Sequence, residues 1–522
     1  MSVGRAAITP PPQVELVNAF ARPYENAVAT ARTCYSSRGI ITPDDVARNP
    51  EQRDRIAQSI YQAGHHTTLQ HAHLQFAIRN VSRQFIWTFL HSHPFYNSEQ
   101  VSQRYVRVAA DAVAVPPFRG EALGIYRDTV AAQIAGYDRL CRRLAPLVEA
   151  EYLARFPAQR NQPRVVYRAV AKKAQEVARY VLPVATLAYL YHTIGALTLL
   201  RYWRLCRQYD ASTETHAIVE QMVAALLQLD PLFESLIEEP LSLEETPEAE
   251  AFGAFTGPLD AATSEAFRAG FDASLQGYTS RLIGHKGGNE RLLAQAVREV
   301  LGLPETQLAD DEAIALVLDP ARNRLFGEAL NLTTLSKLTR TMHHPGYTFR
   351  KKLSHTADSQ NQRHRMTPGS RPILLAHISD TPDFIVPALI RQDPAIEREY
   401  REMMARTWEG IARLRSLGEP AEFVAYLLPN AVAVRFTESA DLLNLHHKLA
   451  MRLCYNAQEE IWQASQDETT QIRQVNPRIG RFLGAPCHLR FGSGATPFCP
   501  EGDRYCGVRV WRLDVADMRR VI

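Results

Sequence analysis

Residues 13–35 begin with apolar and polar positions in alternation and turn helical through 27–31, toward Cys34 and Tyr35. A two-residue period suits a half-buried strand and a 3.6-residue period a helix. The same reading predicts a helix over 50–64, a strand over 74–78 and an aromatic helix over 84–90. A polar segment, 97–105, ends on Arg104 and Tyr105, and Val115-Pro116-Pro117 closes this unit. Long helices are predicted over 120–155 and 165–180, then a break at Leu182-Pro183, a short apolar strand, and helices over 196–208 and 213–236. Leu200, Trp203, Arg204 and Arg207 fall on one face of the first of these. Residues 237–252 are acidic and hold two prolines, which reads as a linker.

The pattern then repeats. Tyr180, Leu182-Pro183, Ala211 and Glu214 recur as Tyr426, Leu428-Pro429, Ala457 and Glu460, all at an offset of 246. Earlier in each half, His71, Phe76 and His91 recur as His344, Phe349 and His364, at an offset of 273. A period this long indicates two copies of one domain rather than a solenoid unit. We therefore expect a first domain at 1–236, the linker at 237–252, a second domain at 253–480 and a cysteine-rich tail at 481–522. The expected class is α+β, each half a central, mostly antiparallel sheet wrapped by long helices.

Composition narrows this little. The chain has 522 residues, 46% hydrophobic and 22% charged, with a net charge of +3. That length calls for more than one core, and the charge gives no field that would favour nucleic acid. No apolar run is long enough to span a bilayer and the N-terminus lacks a signal-peptide core, so a cytoplasmic protein without membrane contact is expected. Seven cysteines, an odd and scattered set, suit reduced thiols.

Three places carry candidate chemistry. Gln360 precedes Arg363-His364-Arg365 by three residues, and two guanidinium forks around an imidazole suit a phosphate. The alternative is a solvated basic turn. Arg452 shares a helix stripe with Leu445 and Leu449, where burial is costly unless an anion meets it. The alternative is an arginine reaching to the rim. Cys487, His488, Cys499 and Cys506 lie within twenty residues and could hold zinc as a Cys3His set. Reduced cysteines in a loop are the alternative.

These motifs resemble the flavin-dependent thymidylate synthases, whose hallmark is R-H-R-x-x-S-x-N-x-x-S-x-R-Y. The early H-x-T-x-x-E-H turn of that family is matched by His65, Thr67 and Gln70-His71, with Gln70 where glutamate is usual. Ser102, Arg104 and Tyr105 match the end of the hallmark, and Ala178, Arg179, Leu182 and Pro183 match the later A-R-x-x-L-P. The second half supplies Gln360, the triplet, Leu428-Pro429 and Arg452, but has Ala425 in place of Arg179 and lacks S-x-R-Y. The first half has lost the triplet and places Cys206 at the register of Arg452.

The losses are complementary. The resemblance implies a composite site, with Gln360, Arg363, His364 and Arg365 from the second half and Glu99, Ser102 and Arg104 from the first. The opposite pairing would be vestigial. It implies FAD reduced by NADPH and a one-carbon unit passed from methylenetetrahydrofolate to dUMP. Arg363 and Arg452 would be catalytic. Gln360, Arg363, Glu99, Ser102, Arg104, Arg179 and Arg452 would hold the substrate. His65, Thr67, Asn97, Arg363, His364 and Arg365 would hold the cofactor. A homodimer would imitate the family's tetramer. The competing expectation is a catalytically degenerate flavin- or nucleotide-binding homologue with a regulatory or structural role.

Overall fold

The computed structural model describes residues 8–91, 94–253 and 261–520. Ser92 and the start of the second unit at 254–260 lie outside the described residues. Two four-stranded antiparallel sheets form. The first has β1 (Gln13–Ala19), β2 (His73–Ser82), β3 (Tyr96–Gln100) and β4 (Leu187–Gly195), in the order β1-β2-β4-β3. The second repeats it with β5 (Ser280–His285), β6 (Gly346–Ser354), β7 (Gly369–Ser370) and β8 (Ala433–Asp441).

The helices that position the site are labelled in chain order: α1 (Arg83–His91), α2 (Gly120–Arg155), α3 (Pro163–Ala178), α4 (Ala196–Arg204), α5 (Ser212–Leu229), α6 (His355–Asn361), α7 (Pro394–Ser416), α8 (Leu442–Arg452) and α9 (Glu459–Val475). β4-α4-α5 and β8-α8-α9 correspond at the offset of 246. α4 ends at Arg204, so Arg207 lies beyond the helix expected to carry it.

Each sheet has its own core, and a third core joins the halves. Tyr137 and Leu144 of α2 pack there with Tyr400 and Trp408 of α7. The segment after 480 closes the second half's core, where Leu483, Val510 and Met518 are buried with Leu293 and Trp462.

At the centre, the two Leu-Pro segments pair antiparallel. Val184 N donates to Leu428 O and Asn430 N to Leu182 O, both at 2.8 Å, and Pro183 lies opposite Pro429. Flanking this bridge, the halves exchange side chains. Glu460 accepts hydrogen bonds from the Ser354 hydroxyl and from Tyr180 of the first half, each 2.6 Å. Glu214 accepts from the Ser82 hydroxyl at 2.6 Å and from Tyr426 of the second half. Both serines also donate their backbone N–H to the same carboxylates. Each glutamate thus anchors the end of its own strand and holds a tyrosine from the other copy.

The earlier offset of 273 holds only part-way. Phe76 pairs with His192 and Phe349 with Glu438, consistent with 273. Between Arg79 and Val81 the register of β2 slips, with Asn80 at φ 58°, whereas β6 runs unbroken against β8. Asparagine tolerates this left-handed conformation, and the bulge takes up one residue. Beyond it Ser82 corresponds to Ser354, an offset of 272. The counterpart of Arg363 is therefore His91, and not, as the spacing suggested, His91 with His364.

Tyr180→Phe and Tyr426→Phe should each lower unfolding stability by about 1–3 kcal/mol, since each leaves a buried carboxylate short of a donor; chemical denaturation with no loss in either variant would remove the exchange from the account of the seam. Burial raises Glu460 to about 7, against hydrogen bonds from Ser354 and Tyr180 that favour its charge. A carboxyl raised in the fold gives stability that is full below its ordinary pKa and is lost as pH rises through the folded value. Wild type should therefore lose stability relative to Glu460→Gln between about pH 4.5 and 7, by a few kcal/mol at most. Parallel pH slopes in denaturant titrations would contradict this.

Candidate functional site

A cavity of about 730 Å³ opens at the seam. Its first-half wall comes from the start of β2 (His73), from β3 (Tyr96, Asn97) and from the end of β4. Its second-half wall comes from Gln360, from Arg363-His364-Arg365 and from α8, which contributes Asn444, His447 and Arg452. Among the described residues, no aspartate or glutamate lines it.

The triplet sits in turns after α6. His364 N donates to Asn361 O and Thr367 N to His364 O, each 3.0 Å. This swings the arginines across to β3. Arg365 bonds Asn97 Oδ1 at 3.3 Å and stacks over Tyr96 at 5.0 Å, while Arg363 meets Glu99 at 3.4 Å. Glu99 is largely exposed, so that pair contributes little net energy.

Behind the triplet the guanidinium groups crowd together. Burial pushes Arg452 down to about 9, with Arg363 and Arg104 adding to the shift. Arg83 is likewise pushed to about 9 by burial, then by Arg179 and Arg363. Arg179 is also lowered, by burial first and by Arg104 among its neighbours. The Nε groups of Arg83, Arg179 and Arg452 are buried without a hydrogen-bond partner among the described residues. Their other donors find neutral acceptors: Arg452 takes Gln360 O at 2.9 Å, Arg179 takes Gln458 Oε1 at 2.7 Å, and Arg83 takes Val101 O at 2.6 Å. Arg104 alone has a buried carboxylate partner, Glu176, and also bonds Asn456 O at 2.6 Å. Cations held by neutral acceptors in a low-dielectric seam favour an anion.

The comparisons decide the family. The model described as "Thymidylate synthase complementing protein" matches residues 15–232 and again residues 281–478. The chain belongs to this family, and carries its domain twice. It is 26% identical over 157 residues to the flavin-dependent thymidylate synthase of Thermococcus kodakarensis, covering 29% of this chain and 62% of that protein. To the flavin-dependent thymidylate synthase of Clostridium tetani it is 24% identical over 224 residues, covering 42% of this chain and 84% of that one. The crystal structure of a UMP/dUMP methylase, PolB, from Streptomyces cacaoi bound with 5-Br dUMP is similar at 21% identity, covering 43% and 94% of the two chains, with a TM-score of 0.29.

Set against the family's motifs, Gln360, the triplet, Arg452 and Asn97 share the cavity wall, and Glu99 reaches it through Arg363. Arg104 and Arg179 stand one layer back, tied to the 456–458 loop, whose Gln458 N meets Gln360 Oε1 at 3.4 Å. Ser102 turns its hydroxyl to Arg104 N at 3.2 Å. His65 and Thr67 are exposed and do not line the cavity. Arg83, His73, His447 and Asn444 were not anticipated. Asn444, His447 and Arg452 follow i, i+3, i+8 spacing, a polar stripe beside Leu445 and Leu449 that the sequence does contain.

The opposite pairing is filled in. Cys206, in the register of Arg452, is buried. His91, in the register of Arg363, packs edge-on against Trp87 at 4.9 Å and lies 3.3 Å from Asp358, which Arg371 also binds at 2.8 Å.

The expected Cys3His zinc set does not assemble. His488 lies near Arg473 and Asp514, while Cys454 takes its place beside Cys487, Cys499 and Cys506 around a small cleft. Among the described residues no three His, Cys, Asp or Glu side chains are grouped so as to hold a metal ion. Burial raises the Cys487 thiol to about 12 and the Cys454 thiol to about 11. Elemental analysis should find no stoichiometric zinc; one equivalent per chain, lost in Cys499→Ser, would reverse that conclusion.

Anion binding is directly testable. Arg452→Ala should weaken inorganic phosphate, measured by calorimetric titration, about tenfold, or roughly 1.4 kcal/mol. Equal affinity in wild type and variant would detach the cluster from anion binding.

Proposed function

We propose that this chain is a flavin-dependent thymidylate synthase, methylating dUMP to dTMP at the cavity between its two halves. FAD would be the cofactor, NADPH the reductant and methylenetetrahydrofolate the one-carbon donor. The observation that carries the reading is the arginine cluster: Arg83, Arg104 and Arg179 of one half stand with Arg363 and Arg452 of the other, all but Arg83 at the positions the family's motifs supply. A nucleotide monophosphate is the anion of the right size and charge for it.

The walls also fit a flavin nucleotide. Among the described residues they lack carboxylates, and the buried Nε2 of His364 has no hydrogen-bond partner. Burial, with Arg452, Lys448 and His447 adding, holds the His364 pKa well below its ordinary value. His364 therefore meets a ring as a neutral imidazole, able to donate from one nitrogen and accept at the other. Asn97, Arg363, His364 and Arg365 would hold the cofactor, which supplies reducing equivalents once bound.

The protein's own part is placement and charge. Arg104, Arg179 and Ser102 would neutralise and seat the phosphate, and Gln360 would hydrogen-bond the pyrimidine. Arg363 and Arg452 would stabilise negative charge developing on the pyrimidine carbonyls, an effect strengthened where water is excluded. His65 and Thr67, exposed on the first half, would serve a site shared with a second copy, so that two chains stand in for the family's four domains.

The purified chain should show a flavin spectrum, or acquire one on adding FAD, and that spectrum should shift when dUMP is added. Arg363→Ala should lower turnover by at least about a hundredfold. Failure to take up flavin, or full activity in Arg363→Ala, would overturn this assignment in favour of a degenerate homologue.

A further inference from the structure

Beneath the triplet, the second sheet buries four charges. Lys351 of β6, Glu438 of β8, Lys448 of α8 and Glu468 of α9 are each no more than 1% exposed. Lys351 Nζ lies 2.6 Å from both Glu438 and Glu468. Lys448 also bonds Glu438 Oε1, and Ser280 donates to Glu468 at 2.8 Å. The remaining oxygen of Glu438 is not spent on a lysine. It accepts from Asn361 Nδ2 at 2.8 Å, and Arg371 stands 3.8 Å away. Asn361 is the last residue of α6, and its carbonyl accepts the N–H of His364.

The first half provides an internal control. The repeat places Ile78, His192, Tyr202 and Met222 at the positions of Lys351, Glu438, Lys448 and Glu468, and all four are buried. Beyond the β2 bulge, Phe89 occupies the position of Asn361. The Asn361–Glu438 hydrogen bond is matched by a ring contact between Phe89 and His192, with centroids 5.2 Å apart. One fold has thus been packed twice at the same places, once almost without charge and once with four charges.

Burying ions costs several kcal/mol each before pairing, and apolar replacement of such a set is often neutral or stabilising. The first half demonstrates that the fold does not require the ions. What the charged version alone supplies is a fixed, oriented acceptor under the end of α6. It occurs in the half that keeps the Arg-His-Arg turn.

We propose that Lys351, Glu438, Lys448 and Glu468 are positioning residues, acting through Asn361 to hold Arg363, His364 and Arg365 in the cavity wall. This rests on reading that turn as a ligand-binding element. None of the four lines the cavity. Two lysines and the serine fix the carboxylates, so that Glu438 cannot rotate away from Asn361. A hydrogen bond to an ionised acceptor is stronger and more directional than one between neutral groups, and a locked supporting layer is what keeps a binding turn preorganised.

The test grafts the first-half solution onto the second half: Lys351→Ile, Glu438→His, Lys448→Tyr and Glu468→Met together. The FAD-loaded full chain is then compared with wild type. The graft should melt cooperatively. Hydrogen exchange over 359–367 should rise roughly tenfold or more, while exchange over 85–90 stays unchanged. The dissociation constant for dUMP, read from the flavin spectrum, should rise by a similar factor. Asn361→Leu, which cuts only the link, should reproduce the effect on 359–367, with Asn361→Gln restoring part of it. Should the graft not fold, Asn361→Leu decides alone. Unchanged exchange over 359–367 in the variants that fold would overturn the proposal. Absence of a dUMP response in wild type would instead defeat the proposed function, and the exchange comparison would still decide whether the cluster positions the turn.

Discussion

Two buried carboxylates, each completed by a tyrosine from the opposite half, are what the rest of this structure depends on. Glu214 and Glu460 cap the ends of β2 and β6, the strands that lead directly into α1 and α6. Those helices set where the residues after them stand. Had each tyrosine bonded the glutamate of its own half, the halves would be two beads on a string. Because the bonds are crossed, the ends of β2 and β6, the Leu-Pro bridge and the joint core must form together, and β3 comes to face the Arg-His-Arg turn.

The seam so made is symmetric in backbone and unsymmetric in chemistry. On one side, guanidinium groups from both halves are gathered with few carboxylates to answer them. On the other, His91 and Cys206 stand at the places of Arg363 and Arg452, and the Asp358 beside His91 is already satisfied by Arg371 and Trp87. Deeper in, Ile78, His192, Tyr202 and Met222 of one half hold the positions that Lys351, Glu438, Lys448 and Glu468 hold in the other. These side-chain departures from symmetry lie close to the cavity or beneath it, whereas the strand order and the tyrosine exchange are kept in both copies. The scaffold and the chemistry have been separated between two kinds of position.

Much of this was legible in the residues. Tyr180, Pro183 and Glu214 recur at one spacing because they serve one geometry twice, and the long helices announced themselves by period. The complementary loss of motif pieces pointed to a shared site, and the structure does bring Gln360, the triplet, Arg452 and Asn97 to one cavity. What stayed hidden depends on register and on distant pairing. A bulge at Asn80 shifts the correspondence of the stretch from Ser82 to His91 by one residue, and nothing in the local sequence of a strand declares a bulge. Lys351 and Glu468 look like ordinary surface residues until the chain brings them together. Arg83 stands just before the helix expected over 84–90, and its proximity to Arg363 arises only when the halves dock. The cysteine tail misled for the opposite reason: sequence proximity suggested His488, and the fold chose Cys454.

The crossed seam has a consequence for how such a protein responds to dilution and to change. In an assembly of separate identical chains, a site between subunits dissolves as concentration falls, and one substitution alters every copy of both walls. Here the two walls are tethered, so closing the cavity is a unimolecular event set by an effective concentration rather than by the amount of protein present. Each wall is also encoded separately, so that Arg363 and Arg179 can be changed without touching their counterparts, and the two faces of one site are free to specialise independently.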